Sequence, residues 1–256
     1  MKMEQKFSSI LRSKLAMVGK VVVFTGAGMS AESGVPTFRG EDGIWKRFKP
    51  EELANFDAFI KNPDLVWEWY RHRKRLISEI SPNAGHYAIA SMERIFGTVT
   101  VITQNIDNLH RRAGSTNVHE LHGNIGRNYC IGCGKGYPDE LLISATAVPR
   151  CTLCQSLIRP DVVWFGELLP ADEWDASISA AERAELFFAV GTSAVVFPAA
   201  SIPLTAKRAG AFVVEINIES TDLTPKADEY ILGKAGEVLP ELVKVAAEIR
   251  NIQLET

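Results

Sequence analysis

Four short runs of apolar and β-branched residues constrain the fold of this chain more than any other feature of its sequence. They occupy residues 20–26 (KVVVFTG), 98–103 (TVTVIT), 185–191 (ELFFAVG) and 211–217 (AFVVEIN). Each run is largely apolar throughout instead of alternating, which is typical of parallel strands covered on both faces. Amphipathic stretches separate the runs, so the sequence predicts a doubly wound α/β fold with a mostly parallel sheet.

Three of the amphipathic stretches are predicted to be helices, at residues 62–80, 170–184 and 233–252. Pro63 suits a first helical turn. The acidic residues early in the second stretch suit the positive end of a helix dipole. Pro240 lies inside the third stretch and predicts that this helix breaks or restarts there.

The composition is that of an ordinary globular chain. Of its 256 residues 46% are hydrophobic and the formal net charge is −3, which argues against disorder and against a nucleic-acid-binding surface. No apolar run approaches the roughly 20 residues of a membrane span, so no membrane partner is expected. The charges scattered through residues 1–20 do not form a signal peptide. We therefore expect a cytoplasmic protein without structural disulfides.

Residues 127–160 lack strong periodicity and contain all four cysteines of the chain. Cys130 and Cys133 form one Cys-x-x-Cys pair, and after 17 residues Cys151 and Cys154 form a second. This spacing is typical of a zinc site, and four thiolates leave no open coordination position, so the ion would be structural. Four unrelated cysteines or a redox pair are the alternatives. We expect a zinc-binding module at 127–160, inserted between the two parts of the sheet domain at 1–126 and 161–256.

A glycine-rich turn directly follows the first apolar run. Gly26, Gly28 and Ala31 match the G-x-G-x-x-G/A pattern, whose glycines let the backbone approach a pyrophosphate. The pattern alone is weak evidence for dinucleotide binding. It is not followed by a regular helix and a second strand that ends in an acidic residue. Glycines and prolines indicate instead a long loop able to fold over a ligand. A flexible surface loop is the alternative, but it does not explain the arginine and aromatic residues within 38–45.

Several stretches taken together resemble the sirtuins, the NAD-dependent protein deacylases. They are GAGMSAESGVPTFRG, TQNIDNLHRRAG, HELHGN, the two Cys-x-x-Cys pairs, VVWFGE, GTSAVVFPAA and EIN. They occur in the family's order, and the combination of GAGMSAESG, TQNID and LHG is specific. The resemblance implies a Rossmann-like NAD-binding domain, NAD as co-substrate, one structural zinc ion, and acyl-lysine proteins or peptides as substrates.

The resemblance also implies roles for polar residues that crowd together after the second apolar run. Gln104 and Asn105 would hold the ribose next to nicotinamide, and Ile106 and Asp107 would contact its carboxamide, at the carboxyl end of a strand. His122 would be the general base, a role that suits an imidazole near neutral pH. We expect His110 and His119 to be structural. Further cofactor contacts would come from Gly26, Ala27, Gly28, Ala31, Thr37, Phe38, Arg39, Trp45, Gly191, Thr192, Ser193, Asn217, Ile218, Glu219 and Ala235.

The reaction implied by the resemblance is acyl transfer to NAD. The acyl oxygen of a modified lysine attacks the ribose carbon that bears nicotinamide, nicotinamide leaves, and His122 activates a ribose hydroxyl to attack the resulting imidate. The products are free lysine, nicotinamide and O-acyl-ADP-ribose. The VVWFGE segment resembles the strand that pairs with the substrate backbone, so recognition would be β-augmentation. Its candidate substrate contacts are Val163, Trp164, Phe165, Gly166 and Glu167.

Tyr70 and Arg73 bear on the choice of acyl group. They are three residues apart and therefore share a helix face. A Tyr-x-x-Arg pair at this place resembles the sirtuins that remove succinyl, malonyl or glutaryl groups, because a guanidinium pairs with a carboxylate and a phenol adds a hydrogen bond. The alternative is a solvated basic helix face, since Arg71, Lys74 and Arg75 are also present. Acetyl removal and removal of acidic acyl groups do not exclude each other.

Two other classes of function stay open at this point. Some relatives mainly transfer ADP-ribose to proteins, and a non-catalytic NAD sensor with a zinc-stabilised interaction surface is a further alternative. Intact QNID and LHGN segments favour an active enzyme, because a sensor would need neither nicotinamide contacts nor a base.

Overall fold

The computed structural model describes residues 7–36, 53–142 and 147–253. Its strands are β1 (Lys20–Thr25), β2 (Thr98–Thr103), β3 (Val118–Glu120), β4 (Gly123–Cys130), β5 (Gly136–Pro138), β6 (Ile158–Val162), β7 (Leu186–Val190), β8 (Phe212–Asn217) and β9 (Glu229–Leu232). Six of them form one sheet in the order β3-β2-β1-β7-β8-β9, and all of its neighbouring pairs are parallel. The four predicted runs are β1, β2, β7 and β8, so the expected doubly wound parallel sheet is confirmed.

The strand order reverses between β1 and β7. From β1 the chain proceeds outward through β2 and β3, and it later returns to the other side of β1 with β7, β8 and β9. Ligands of open α/β sheets bind in the crevice at such a reversal, beyond the carboxyl ends of the strands. A ligand site is therefore expected at the turns that follow β1, β2 and β7.

The helices are α1 (Ser9–Met17), α2 (Gly28–Ala31), α3 (Phe56–Lys61), α4 (Pro63–Glu79), α5 (Ala84–Met92), α6 (Leu109–Arg112), α7 (Ala171–Arg183), α8 (Ile202–Arg208) and α9 (Ala235–Ile249). Short 3-10 turns occur at Asp139–Leu141, Ala199–Ser201 and Thr224–Lys226. The helices predicted at 62–80 and 170–184 are α4 and α7, and Pro63 begins α4 as expected.

Both faces of the sheet are covered, which explains why its strands are apolar throughout. Val21 and Val23 of β1 belong to a core that also contains residues of α1, α5 and α9. Val22 and Phe24 alternate to the opposite face and join a core with residues of α7 and α8. Because successive residues of a strand point to opposite faces, a sheet covered twice needs apolar residues at consecutive positions.

The prediction that Pro240 breaks the last helix is wrong, because α9 runs without interruption past it. Pro240 lies in the second turn, so its missing N–H removes one backbone hydrogen bond, to the carbonyl of Gly236. Leu239 and Leu242 on either side of it are fully buried in the core shared with α5. Burial of this apolar face outweighs the loss of a single hydrogen bond.

The remaining three strands form a separate antiparallel sheet in the order β5-β4-β6. A third apolar core joins this sheet to α3 and α4, and includes Phe59, Trp67, Ile158 and Trp164. The boundaries expected for the inserted module, residues 127 and 160, fall inside β4 and β6. None of the helices in the described residues is both long enough and apolar enough to cross a membrane.

Candidate active site

The turn after β1 and the turn after β7 pack against each other with their backbones in contact. The N–H of Gly28 donates to the carbonyl of Gly191 at 2.8 Å. A Cβ on Gly26 would lie 2.8 Å from the Gly191 oxygen, and one on Gly28 would lie 2.8 Å from the Gly191 Cα. Gly191 itself has a φ of 56°. These three glycines are therefore required for the approach of the two turns. The glycine-rich pattern predicted a close approach of this backbone to a pyrophosphate, and that part stays a prediction.

The polar residues after β2 reach across to both turns. The side-chain amide of Gln104 donates to Thr192 Oγ1 at 3.0 Å, beside β7. The Asn105 amide donates to the Gly26 carbonyl at 2.9 Å and to Ser30 Oγ at 3.1 Å. The structure thus brings together residues of the GAGMS, QNID and GTS segments at the strand reversal.

Asp107 is buried and held by two donors. Ser30 Oγ donates to its Oδ2 at 2.7 Å, and the N–H of Leu109 donates to its Oδ1 at 2.9 Å. Burial raises the pKa of Asp107, whereas these two hydrogen bonds and the charge of Arg73 oppose that rise. A small cavity adjoins these groups and is lined by Ala27, Ser30, Val35, Pro36, Arg73, Asn105, Ile106 and Asp107.

Two buried histidines lie behind this cavity. Their ring centroids are 4.9 Å apart, His86 Nε2 is 3.5 Å from Ser30 Oγ, and His110 Nε2 is 2.9 Å from Thr25 Oγ1. Burial lowers the pKa of His86 to about 4 and that of His110 well below its usual value, so both rings are neutral near pH 7. His110 is packed in the interior, as expected. Neither Ser30 nor His86 was expected at the site, and the Asn83-x-x-His86 capping box indicates only the start of α5.

His122 occupies the crossing from β3 of the large sheet to β4 of the small one. Its Nδ1 lies 2.9 Å from the carbonyl oxygen of Gln104, which can only accept, so Nδ1 carries the proton and Nε2 is left as the basic nitrogen. Burial lowers the pKa of His122, although the hydrogen bond to Gln104 opposes this. The imidazole is therefore neutral near pH 7. The next residue, Gly123, has a φ of 78°, and a Cβ there would lie 2.2 Å from the Asp161 oxygen.

Several of the further expected cofactor contacts lie after β7, at the end of β8 and at the start of α9. Asn217 Nδ2 donates to the Thr192 carbonyl at 2.9 Å, which links β8 to the turn contacted by Gln104. Ser193, Ile218 and Glu219 are exposed, and Ala235 is buried at the first position of α9. Ala31 is exposed at the end of α2. Thr37, Phe38, Arg39 and Trp45 lie outside the described residues.

Tyr70 and Arg73 are both buried on the inner face of α4. The Trp164 indole donates to the Tyr70 hydroxyl at 2.7 Å, and the Arg73 guanidinium lies 5.1 Å from the centre of the Trp69 ring. Burial raises the pKa of Tyr70 to about 12, although the hydrogen bond from Trp164 and the charge of Arg73 lower it. Arg73 shares the cavity with Asn105 and Asp107, so α4 meets the QNID segment there.

The other basic residues of α4 differ from one another in environment. Lys74 is buried and its Nζ lies 2.5 Å from Asp139 Oδ1. Arg71 donates to the Ala147 carbonyl at 2.5 Å. Arg75 is exposed. A solvated basic face therefore does not describe this helix as a whole.

The segment expected to pair with substrate lies beyond the end of β6, where Val163 and Trp164 belong to no strand and Phe165 and Gly166 form a turn. Trp164 is buried, and Phe165 is 47% exposed. Glu167 forms an ion pair with the buried guanidinium of Arg159, whose Cζ lies 3.4 Å from the centre of the Trp164 ring. Val163 donates its N–H to the His122 carbonyl at 3.0 Å, which places this segment beside the candidate base. Gly166 has a φ of 88° in the turn between Phe165 and Glu167.

The four cysteine sulfurs lie within 4.8 Å of one another. The Cys130–Cys154 and Cys133–Cys151 sulfur distances are 3.4 Å and 3.6 Å, well beyond the roughly 2.05 Å of a disulfide bond. A Cβ on Gly132 would lie 2.4 Å from Ser156 Oγ and 2.9 Å from Ser156 Cβ, so the first knuckle has no room for a larger residue there. Four thiolates converging in this way fit a structural zinc ion.

A sequence model of the Sir2 family matches residues 26–198, which include every segment of the site up to the turn after β7. The chain belongs to the Sir2 family.

Curated Sir2-family relatives extend this likeness to almost the whole chain. The NAD-dependent protein deacylase 2 of Pyrobaculum aerophilum is 54% identical over 243 residues, which cover 94% of this chain and 97% of the relative. The NAD-dependent protein deacylase of Pyrococcus furiosus is 51% identical over 245 residues, which cover 93% of this chain and 96% of that relative.

Solved Sir2 structures share the fold. A complex of a Sir2 homologue with NAD is 47% identical and has a TM-score of 0.89, with 94% of each chain covered. A complex of Sir2 with a p53 peptide and NAD⁺ is 35% identical and has a TM-score of 0.83, with 95% of this chain and 98% of that chain covered.

Proposed function

We propose that this Sir2-family protein is an NAD-dependent protein-lysine deacylase that transfers the acyl group to ADP-ribose and yields nicotinamide, free lysine and O-acyl-ADP-ribose. The observation that carries the proposal is the orientation of His122. Its Nδ1 is tied to the Gln104 carbonyl at 2.9 Å, so Nε2 is presented as a proton acceptor next to the QNID segment. The names of the relatives, which are called NAD-dependent protein deacylases, support this chemistry.

The residues at the strand reversal fit the binding of NAD. Gly26, Gly28 and Gly191 bring the turns after β1 and β7 together, and Gln104 and Asn105 are held in place from both turns. We assign the pyrophosphate to the glycine-rich turn after β1. Asp107 and Ile106 line the cavity that we assign to nicotinamide. We assign the adenosine half to Thr192, Ser193, Asn217, Ile218, Glu219 and Ala235. Ala27, Ala31, Thr37, Phe38, Arg39 and Trp45 are proposed as further contacts from the loop after β1.

NAD supplies the electrophilic ribose carbon of the reaction. The chain's own contribution is to orient the ribose through Gln104 and Asn105 and to accept a proton at His122 Nε2. Since burial keeps the His122 imidazole neutral, this nitrogen can accept a proton at neutral pH. The four cysteines would hold a structural zinc ion, which would take no part in this chemistry. We propose that residues 127–160 form the zinc module and that residues 1–126 and 161–256 form the NAD-binding domain.

We further propose that the acyl groups include succinyl or malonyl as well as acetyl. Tyr70 supports this, because its oxygen accepts from Trp164 while its own hydroxyl hydrogen has no acceptor among residues 7–36, 53–142 and 147–253. A buried donor beside a guanidinium is suited to a carboxylate. The acyl-lysine peptide itself would lie along Val163–Glu167. The cytoplasmic location and the absence of nucleic-acid partners stay predictions.

Mass spectrometry of acyl-lysine peptides incubated with the protein and NAD tests the proposal. A deacylase removes the acyl mass and releases O-acyl-ADP-ribose in equal amount. A gain of ADP-ribose mass on the peptide or on the protein would instead establish an ADP-ribosyltransferase. Binding of NAD without any change in mass would leave the non-catalytic sensor as the function.

A further inference from the structure

Tyr137, on β5, contacts the zinc site from outside the set of four cysteines. Its hydroxyl oxygen lies 3.2 Å from the Cys151 sulfur. The N–H of Thr152 donates to the same oxygen at 2.9 Å. The phenol oxygen is therefore already an acceptor, and its single hydrogen must go to another partner. Two partners are within reach, the Cys151 sulfur and Thr152 Oγ1 at 3.1 Å.

The surrounding groups decide between these two partners. Lys135 Nζ donates to Thr152 Oγ1 at 3.3 Å, and its ammonium also lies 5.2 Å from the centre of the Tyr137 ring. A threonine hydroxyl can donate as well as accept, whereas a zinc-bound thiolate can only accept. All donors are used when Lys135 donates to Thr152, Thr152 donates to Tyr137, and Tyr137 donates to the sulfur.

We propose that Tyr137 is a positioning residue of the zinc site, whose hydroxyl donates to the Cys151 thiolate and helps the site retain its metal. The N–H of Leu153 donates to the same sulfur at 3.3 Å, so Cys151 has backbone donors in addition to the side-chain donor Tyr137. Such outer hydrogen bonds orient a ligand and spread its charge, and their loss typically weakens metal binding by about 10- to 100-fold.

The test compares two single hydroxyl deletions in the full-length, zinc-loaded protein. Tyr137→Phe removes the donor to sulfur but keeps the ring and its contact with Lys135. Thr152→Val removes a neighbouring hydroxyl but keeps the N–H that holds Tyr137. Competition with a chromogenic chelator measures zinc affinity. We expect Tyr137→Phe to bind zinc at least about tenfold more weakly, and Thr152→Val to bind it like the wild type.

A second measurement separates donation to sulfur from a packing effect. At saturating cobalt the metal itself maintains the fold, and the sulfur-to-cobalt charge-transfer band should shift in Tyr137→Phe but not in Thr152→Val. Unchanged zinc affinity in Tyr137→Phe overturns the inference. So does equal weakening in both variants, or weaker binding with an unshifted cobalt band. None of these readouts depends on catalytic activity.

Discussion

The Trp164 indole nitrogen donates a hydrogen bond to the Tyr70 hydroxyl oxygen across 2.7 Å, and both side chains are buried. An indole N–H can only donate, so this contact fixes the phenol as an acceptor toward Trp164 and leaves it a donor toward any other group. The pKa of Tyr70, raised to about 12, keeps that donor protonated near neutral pH. The contact thus leaves one hydrogen-bond donor beside α4, which we propose as the partner of an acyl carboxylate.

Acyl choice should depend on Arg73. Replacing it by methionine (Arg73→Met) should cut kcat/KM for a succinyl-lysine peptide by about 10- to 100-fold relative to an acetyl-lysine peptide. The reason is that a charge-assisted hydrogen bond contributes roughly 1.5–3 kcal/mol, and each 1.4 kcal/mol is about tenfold in rate. The ratio of the two kcat/KM values is the measurement, because Arg73 also lies beside Asp107 and its loss can affect both substrates.

Arg75→Met is the matched control for this experiment. Arg75 belongs to the same helix and carries the same charge, but it is exposed. Equal loss of succinyl activity in both variants would indicate diffuse electrostatic attraction by a basic helix. It would exclude a specific pocket for the acyl carboxylate. Lys74 cannot serve as a control, since its buried ammonium binds Asp139.

Loss of the His122 imidazole should stop acyl transfer but not cofactor binding. His122→Ala should lower turnover by about 10² to 10⁴, the usual contribution of a general base. NAD affinity, measured by calorimetry, should be retained, because the contacts that we assign to NAD come from other residues. His119→Ala is the control, since His119 is bound to Glu173 at 2.9 Å. Retention of half the wild-type turnover in His122→Ala would exclude the residue from the mechanism.

The pH profile of kcat/KM should reflect the lowered pKa of His122. The base acts in its neutral form, and its pKa lies below the ordinary value of 6.5 because the ring is buried. The neutral fraction therefore falls only as the pH drops below that value. We expect an acid limb centred below pH 6.5 in kcat/KM, measured with an acyl-lysine peptide. A limb centred above that pH would show that a different group titrates.

Stability should fall in acid because His86 and His110 are buried as neutral rings. The pKa of His86 is about 4 in the folded protein against an ordinary 6.5, so the unfolded chain binds more protons between these values. The free energy of unfolding is therefore highest above pH 6.5 and declines below it, by about 2 kcal/mol near pH 5 from His86 alone. Urea titrations across this range measure how the free energy of unfolding changes with pH. His86→Gln should flatten it, and His72→Gln, at an exposed position, should not.

One zinc ion per chain should accompany the folded protein. Elemental analysis of protein purified without added metal should find stoichiometric zinc. Cys151→Ala should give insoluble protein or lower the unfolding temperature by roughly 10 °C, since several kcal/mol of metal binding is lost. Well-folded, active wild-type protein without stoichiometric metal would contradict the assignment.

The elements that could be predicted are those whose cause is local. The strands of the central sheet follow from consecutive apolar residues, and α4 follows from Pro63 and a periodic apolar face. The convergence of the four cysteines was likewise expected from their spacing. The position of the QNID segment at the end of β2 was expected from the resemblance to the family.

The features that could not be predicted depend on residues far apart in the chain. Ser30 meets Asp107 across 77 positions, and Lys74 meets Asp139 across 65. Neither contact produces a periodicity or a characteristic spacing in the amino-acid sequence. The association of α4 with the small sheet was missed for the same reason. The helix break predicted at Pro240 is absent because burial of the apolar face of α9 outweighs the low helix propensity of one proline.

The segment from β5 to the following 3-10 turn contacts both the cysteine cluster and α4. Tyr137 faces the Cys151 sulfur, and two residues later Asp139 holds the Lys74 ammonium of α4, next to Arg73. For protein engineering this means that the cysteine-bearing segment is not an exchangeable cassette. A chimaera that imported residues 127–160 from another chain would keep four thiols, yet without an acid at position 139 it would bury an unpaired charge in α4. Grafts should therefore be designed with α4 and this segment taken from the same parent.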